Sequence, residues 1–319
     1  MGTSESHIIV HNVLKLNEVA DYTSKLNRNY KIMNTDKTPI NYTTCYAQPF
    51  LLFNESNLDT MKRMPDNFID LTVTSPPYDN LRAYKNMHDS WTPLMWMTVI
   101  RELYRVTKEG GIVVWIIGDQ VVNGSETLTA FKQALYLKDV GFNIHDTMIY
   151  SKTFLPQNGN RYNQSFEYMF VCSKGKPNTF NPIKRPYSEK TLQRRKTKYT
   201  FNKHRDVEND GRKVKEFGLK SDGVTKENVW HYTVGNMQSS KDKIAFEHPA
   251  IFPEQLANDH IISWSNEGDI IYDPFAGSGT TGKMAILNKR KCIMSEISAE
   301  YCEIIKKRLE PIINERTLF

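Results

Sequence analysis

The chain has 319 residues, 39% of them hydrophobic and 24% charged, which is enough apolar material for one substantial core with a smaller attached region. No apolar run approaches the length of a membrane span and the start, MGTSESHIIVH, lacks the basic-then-apolar plan of a secretory leader, so neither a membrane protein nor a secreted one is expected. The net charge of +6 is modest, and the four cysteines (Cys45, Cys172, Cys292, Cys302) form no CxxC pair, so buried free thiols in a reducing compartment are expected and a zinc site is not.

Residues 1–45 are polar, with a rough helical face over 13–29 carried by Leu14, Val19, Tyr22 and Leu26. From residue 50 the pattern sharpens. Residues 50–53 read as a short buried strand, 58–64 as a helix and 69–74 as a second buried strand. Apolar residues at helical spacing over 91–108 predict a helix stopping at Gly110-Gly111. Residues 112–117 form a continuous β-branched run, hence a fully buried strand. An amphipathic helix is predicted over 126–140, then strands over 144–150 and 166–171. From 173 to 245 the chain is rich in Lys, Arg, Asn, Gly and Thr and reads as a loop-rich insertion. Pro253 then opens a helix to 263, followed by strand 270–272, helix 280–287, strand 291–294 and helix 299–309. Strands alternate with helices on both sides of the insertion. This predicts an α/β fold, a doubly wound, mostly parallel sheet with helices on both faces.

Positive charge is concentrated in the insertion. Residues 184–220 hold 13 Lys or Arg against 5 Asp or Glu, leaving 29 against 31 for the rest. A polyanion contact and a solvated basic loop explain this equally well on charge alone.

Two motifs carry chemistry. Asp273-Pro274-Phe275-Ala276-Gly277-Ser278-Gly279-Thr280-Thr281 follows an apolar strand and opens a helix. Glycines there allow a tight turn and close approach of a ligand to the backbone, at a helix N-terminus with free amides. Glu296 ends the next strand, where a ribose-binding carboxylate belongs in a doubly wound sheet. Alone, the motif also satisfies a dinucleotide G-x-G-x-x-G pattern. It nearly satisfies a P-loop, but Met284 stands where Ser or Thr would bind magnesium. The second motif is Thr74-Ser75-Pro76-Pro77-Tyr78, directly after a buried strand. Two prolines stiffen the backbone and remove two amide donors, leaving rigid carbonyls at the strand end. Acceptors with an aromatic ring behind them suit a planar exocyclic amine. Hydrogen bonds to Ser75 Oγ and the Pro76 carbonyl would favour a pyramidal nitrogen whose lone pair can attack a methyl sulfonium. Such an amine lies out of reach inside a duplex, so its base must be flipped out, with Tyr78 stacking on it.

At these residues the chain resembles the DNA amino-methyltransferases of restriction–modification systems and phages, over about 50–172 and 246–310. Their (D/N/S)-P-P-(Y/F) motif corresponds to 75–78 and their F-x-G-x-G motif to 275–279; the amine motif comes first, as in the permuted beta class. The resemblance implies S-adenosylmethionine as cofactor, a Rossmann-like methyltransferase fold, no metal, double-stranded DNA as partner, and a cytoplasmic protein of prokaryotic or phage origin. It implies cofactor contacts at Asp273, Phe275, Gly277, Gly279, Thr280, Thr281 and Glu296, at His248, Pro249 and Phe252, and at Asn80 in the loop after the catalytic motif. It divides the chain into an N-terminal extension (1–45), a catalytic half (46–152), a target-recognition region (153–245, with strand 166–172 assignable to the core) and a cofactor half (246–319). Lys184, Arg185, Arg194, Arg195, Lys196 and Lys198 are then the candidate phosphate contacts. Where the family often has Gly-Asp before the first helix, this chain has Phe53-Asn54-Glu55-Ser56-Asn57. Ser-Pro-Pro-Tyr resembles the N4-cytosine enzymes, Asp-Pro-Pro-Tyr the N6-adenine ones. Two readings compete: a nicotinamide-dependent oxidoreductase, which leaves Ser-Pro-Pro-Tyr and the basic region unused, and a non-catalytic DNA-binding protein on the same scaffold. A separately acting restriction endonuclease is a candidate partner, and monomer and homodimer are both open.

Overall fold

A computed structural model of the chain describes residues 38–77, 91–153, 160–196, 223–235 and 237–316. In chain order its elements are α1 (Tyr42–Ala47), β1 (Phe50–Phe53), α2 (Asn57–Lys62), β2 (Ile69–Thr74), α3 (Pro93–Val106), β3 (Thr107–Ile117), β4 (Val121–Val122), β5 (Ser125–Glu126) and α4 (Thr129–Val140). Then come β6 (Asn143–Lys152), β7 (Phe166–Ser173), β8 (Lys184–Arg185), α5 (Glu189–Lys196), β9 (Val224–Thr225) and β10 (Val229–Tyr232). A 3-10 turn (Lys243–Glu247), α6 (Glu254–Trp264), β11 (Ile270–Asp273), α7 (Thr280–Leu287), β12 (Lys291–Ser295) and α8 (Ala299–Arg316) complete it.

Eight strands form one sheet in the order β1-β12-β11-β2-β3-β7-β6-β10. Only β7 runs antiparallel to its neighbours, β3 and β6. The apolar runs explain the layering. Successive residues of a strand face opposite sides. Val113, Trp115 and Ile117 of β3 pack with Trp96, Ile100 and Leu103 of α3, while Ile112, Val114 and Ile116 join the cluster that holds Leu256 and Ile261 of α6 and Ile305 of α8. Both faces of β3 are therefore buried, as an uninterrupted hydrophobic run requires. Thr92 caps α3 by accepting from Met95 N at 3.3 Å, and Pro93 fills the first helical turn, where its missing N–H costs nothing.

The sheet and helices predicted from the sequence are present, with instructive differences. The helix predicted over 91–108 ends at Val106, and β3 begins at once and runs through Gly110-Gly111. The helix predicted from 126 starts at Thr129 instead. Asn123-Gly124, both left-handed, makes a two-residue turn pairing Val121–Val122 with Ser125–Glu126. Asp119 Oδ1 then accepts from Ala130 N at 2.9 Å and caps α4. The stretch 173–245 is not all loop: β10 adds to the sheet edge beside β6, burying Trp230 and Tyr232 while Val229 and His231 point outward. The last helix continues beyond 309 through Pro311. The helix predicted over 13–29 lies outside the described residues. All four cysteines are buried and free. No helix among the described residues is long and apolar enough to cross a membrane.

Candidate cofactor and target site

β11 and β2 are adjacent parallel strands, but the chain winds away from them in opposite directions: β11 leads to β12 and β2 to β3. Crossovers leaving on opposite faces open a crevice at the carboxyl ends of such a pair, and ligands of doubly wound sheets sit there. Both motifs meet at this point. Thr74 Oγ1 donates to Asp273 Oδ1 at 2.7 Å, and Thr281 Oγ1 donates to the Val73 carbonyl at 3.0 Å. Phe275 N also donates to Asp273 Oδ1, at 3.1 Å. Burial raises the Asp273 carboxyl to about 6, although these donors pull it back. Asp273 is thus a strut between the two strand ends. Pro76 and Pro77 are buried and Ser75 is half-buried beyond them. Tyr78 and Asn80 lie outside the described residues.

The glycine loop is held from below. Ala276 N donates to the Ser295 carbonyl at 3.1 Å and Gly277 N to Glu296 Oε2 at 2.8 Å. Gly277 and Gly279 have φ of +52° and +79°, the left-handed region open to glycine. They face different neighbours. A Cβ on Gly277 would stand 3.1 Å from the His248 ring; one on Gly279 would stand 3.0 Å from Ile305 Cγ1. Gly277 faces the site, whereas Gly279 lets α8 pack against the loop. Thr280 and Thr281 are buried at the start of α7.

Glu296, 8% exposed, directly follows β12. Its second oxygen accepts from Ser298 N at 2.9 Å, and Asn54 Nδ2 donates to its carbonyl at 2.9 Å. Burial raises this carboxyl to about 7, opposed by the backbone amides of Ser298, Gly277 and Ile297. His248 Nδ1 accepts from Ala250 N at 3.1 Å, which leaves the proton on Nε2, and its ring packs edge-on to Tyr301 at 4.3 Å. Pro249 is exposed next to it, and Phe252 packs into the core. Phe275 is flanked edge-on by Trp91 at 5.1 Å and Trp115 at 6.3 Å.

The structure therefore brings together Ser75, Pro76, Pro77, Asp273, Phe275, Gly277, Thr281, Glu296 and His248. It does not bring Lys184 and Arg185 to them. β7 runs down to the amino edge of the sheet and β10 re-enters from that edge, so Lys184 and Arg185 lie on a strand pair at the far end from Ser75. Arg185 Nε is bound to Glu227 Oε2 at 3.0 Å. Arg194, Arg195 and Lys196 fall in α5, and Lys198 lies outside the described residues. Around the family's Gly-Asp position, Glu55 is taken up by Thr60 Oγ1 at 2.8 Å and by Arg63. Sequence reasoning missed Asn57, whose Nδ2 donates to the Pro274 carbonyl at 3.2 Å, and Arg308, fully buried beneath the loop. It also missed Tyr162, wholly exposed in the β6–β7 connection, which opens on the same carboxyl edge as Ser75. Among the described residues no group of three or more His, Cys, Asp or Glu is placed to hold a metal ion.

A glycine loop and strand-end carboxylate at the switch point of a mostly parallel sheet are those of a Rossmann-like nucleotide-binding fold, and the solved structures it resembles are DNA methyltransferases. The chain is 52% identical over 262 residues to the orphan methyltransferase M.BamHII of Bacillus amyloliquefaciens, covering 78% of this chain and 91% of that one. Its fold resembles the PvuII DNA methyltransferase (cytosine-N4-specific), with TM-score 0.57 at 18% identity, covering 82% and 88% of the two chains. It also resembles M1.HpyAVI in complex with SAM, with TM-score 0.53 at 19% identity, covering 82% and 99%. Residues 69–307 match the DNA methylase family of N6/N4 methyltransferases, and the chain belongs to that family. It is a DNA methyltransferase that uses S-adenosylmethionine.

Proposed function

We propose that this enzyme methylates the exocyclic N4 of cytosine in double-stranded DNA. The observation that supports transfer to an exocyclic amine is the Thr74–Asp273 hydrogen bond of 2.7 Å, which ties the end of the Ser-Pro-Pro turn to the start of the glycine loop; the choice of cytosine rests on Ser75.

The residues present fit S-adenosylmethionine. A carboxylate offers about four lone-pair sites, so Glu296 keeps capacity for a ribose hydroxyl beyond the amides of Gly277 and Ser298. Phe275, Gly277, Gly279, Thr280 and Thr281 form the turn around it, with His248, Pro249 and Phe252 contributing walls; the family resemblance adds Asn80. The cofactor supplies an electrophilic methyl group on a sulfonium. Ser75 Oγ and the Pro76 carbonyl hold the two hydrogens of the amine, which turns its lone pair toward that methyl, and Tyr78 stacks on the flipped base. As the N–CH3 bond formed, the S–CH3 bond of the sulfonium would break to leave a neutral thioether, and the methylated nitrogen would then lose one proton to water. Serine at position 75, rather than aspartate, supports cytosine over adenine. The alternative is N6-adenine methylation by the same geometry, since either amine presents two hydrogens to the same acceptors.

Residues 153–245 supply target recognition, with β7 and β10 of that stretch built into the sheet. Tyr162 is its described aromatic on the carboxyl edge, available to DNA there. The orphan relative supports action without a cognate endonuclease. Digestion of DNA methylated in vitro, followed by nucleoside mass spectrometry, tests the base. N4-methylcytosine is expected; N6-methyladenine overturns the assignment of Ser75 while keeping the site.

A further inference from the structure

Beneath the glycine loop lies a cluster of four charges that neither motif uses. Arg308 of α8 has no exposed side-chain surface, and Lys283 of α7 is 11% exposed. Arg308 donates to Asp242 Oδ2 at 3.1 Å and Glu254 Oε1 at 2.8 Å. Lys283 Nζ reaches the same two oxygens, each at 2.8 Å. Arg308 also donates to the Ser278 carbonyl and to Ser278 Oγ, the latter at 3.1 Å, and Ser240 Oγ donates to Glu254 Oε1 at 2.5 Å. Burial pushes the Asp242 carboxyl up, but the bonds from Lys283 and Arg308 prevail and hold it below the usual range.

The arrangement is a clasp. Asp242 and Glu254 mark the two ends of one strap, 242–254, and both ends are gripped by the same two cations. That strap carries His248 to the face of Gly277. The third arm of the clasp is the Ser278 carbonyl, inside the glycine loop itself. A buried ion pair survives desolvation only when its geometry is well satisfied, and removing one partner leaves an uncompensated buried charge. The strap and the loop are therefore fixed together or not at all. We infer that Arg308 is a positioning residue: with Lys283, Asp242 and Glu254 it closes the strap 242–254 over the glycine loop and so sets affinity for S-adenosylmethionine, without touching the reacting atoms. This rests on the reading that the 275–279 loop holds that cofactor.

The test is Arg308→Met, Glu254→Gln and the double variant in the full chain, with Lys283→Met as the milder change should Arg308→Met fail to fold. Each is assayed for S-adenosylmethionine affinity by calorimetry, for kcat at saturating cofactor, and for thermal unfolding. Expected are a rise in cofactor Kd of about tenfold or more for each single variant, kcat within about threefold, and a double variant no worse than the poorer single, since the groups act as one unit. Arg308→Lys should recover part of the affinity. Folded variants that bind the cofactor within about twofold of the parent overturn the inference. Gly277→Ala separates the two levels. If it weakens cofactor binding while Arg308→Met does not, only the clasp is wrong. If neither affects binding, the loop assignment itself fails.

Discussion

Glu296→Gln carries the sharpest consequence of the site, because the carboxyl is buried and pushed up to about 7 before any ligand arrives. A ribose hydroxyl donates more strongly to the ionised carboxylate than to the protonated acid, so cofactor binding favours loss of the proton. A group titrating near 7 is about nine-tenths protonated at pH 6 and about one-tenth at pH 8. If the bound carboxylate returns toward its ordinary value, cofactor affinity is about tenfold weaker at pH 6 than at pH 8, with close to one proton released per cofactor at the lower pH. The sign for the free protein is opposite. Both Glu296 and Asp273 have raised values, about 7 and about 6, so their contribution to folding is fully present below the unfolded values and is lost as pH rises through the folded ones. Binding and stability therefore trend against each other across pH 5 to 8. Asp273 is bound to Thr74 Oγ1 and Phe275 N, groups the cofactor does not displace, so it does not supply the binding slope. Calorimetry in two buffers of different ionisation enthalpy measures Kd and proton release together. Glu296→Gln should bind more weakly at pH 8 and lose the slope; His248→Gln is the control for a neighbouring imidazole. A flat wild-type affinity between pH 6 and 8, or an unchanged slope in Glu296→Gln, refutes the reasoning.

Other outcomes follow from the geometry. Ser75→Ala should lower kcat by about 10- to 100-fold with cofactor Kd within about twofold, because it removes one acceptor at the amine and nothing at the loop; equal loss of both parameters would contradict that role. Gly279→Ala should destabilise the fold by about 2–4 kcal/mol in urea titrations, combining a left-handed φ with a Cβ 3.0 Å from Ile305, and Ile305→Val should recover part of this. Gly277→Ala should instead act mainly on cofactor Kd, through His248. Tyr162→Ala, at a fully exposed position, should leave stability within about 0.5 kcal/mol and raise the KM for DNA; an unchanged KM would remove Tyr162 from the interface.

What the sequence made legible was whatever is local. The runs at 112–117 and 270–272 are buried on both faces and apolar throughout, and the run at 69–74 keeps Ile69, Leu71 and Val73 buried, so all three announce themselves. Both motifs are contiguous, and each reads as chemistry without knowledge of its neighbour. β10 was hidden because only Trp230 and Tyr232 face inward; its remaining residues are polar or exposed, as an edge strand allows. The turn before α4 was legible in Asn123-Gly124, yet the helical spacing beyond it dominated the reading. The basic stretch from 184 fits a polyanion contact and a solvated loop alike, and composition says nothing of which sheet edge a segment occupies. Arg308 was out of reach for another reason. Its partners Asp242 and Glu254 stand 66 and 54 positions earlier, and an isolated Arg on an amphipathic helix looks like any solvated one.

The order of motifs along the chain has a structural counterpart. β1 and β2 are consecutive in sequence but three places apart in the sheet, and the two places between them belong to β11 and β12. β1 pairs with β12 alone. Until the C-terminal part of the chain inserts, β1 has no hydrogen-bonded neighbour and β2 has only β3. Insertion of β11 and β12 completes the sheet and joins the two halves of the site. It brings Asp273 to Thr74, Thr281 to the Val73 carbonyl, and Glu296 N to the Phe53 carbonyl at 3.0 Å. Asn54 then reaches the carbonyls of Glu296 and Ile297 across more than 240 residues. Each of these bonds joins a residue before 75 to one after 270. With the glycine motif late and the Ser-Pro-Pro-Tyr motif early, the two come together only through the pairing of β11 with β2 and the struts that cross it, so a change at Thr74 or Asp273 acts on both.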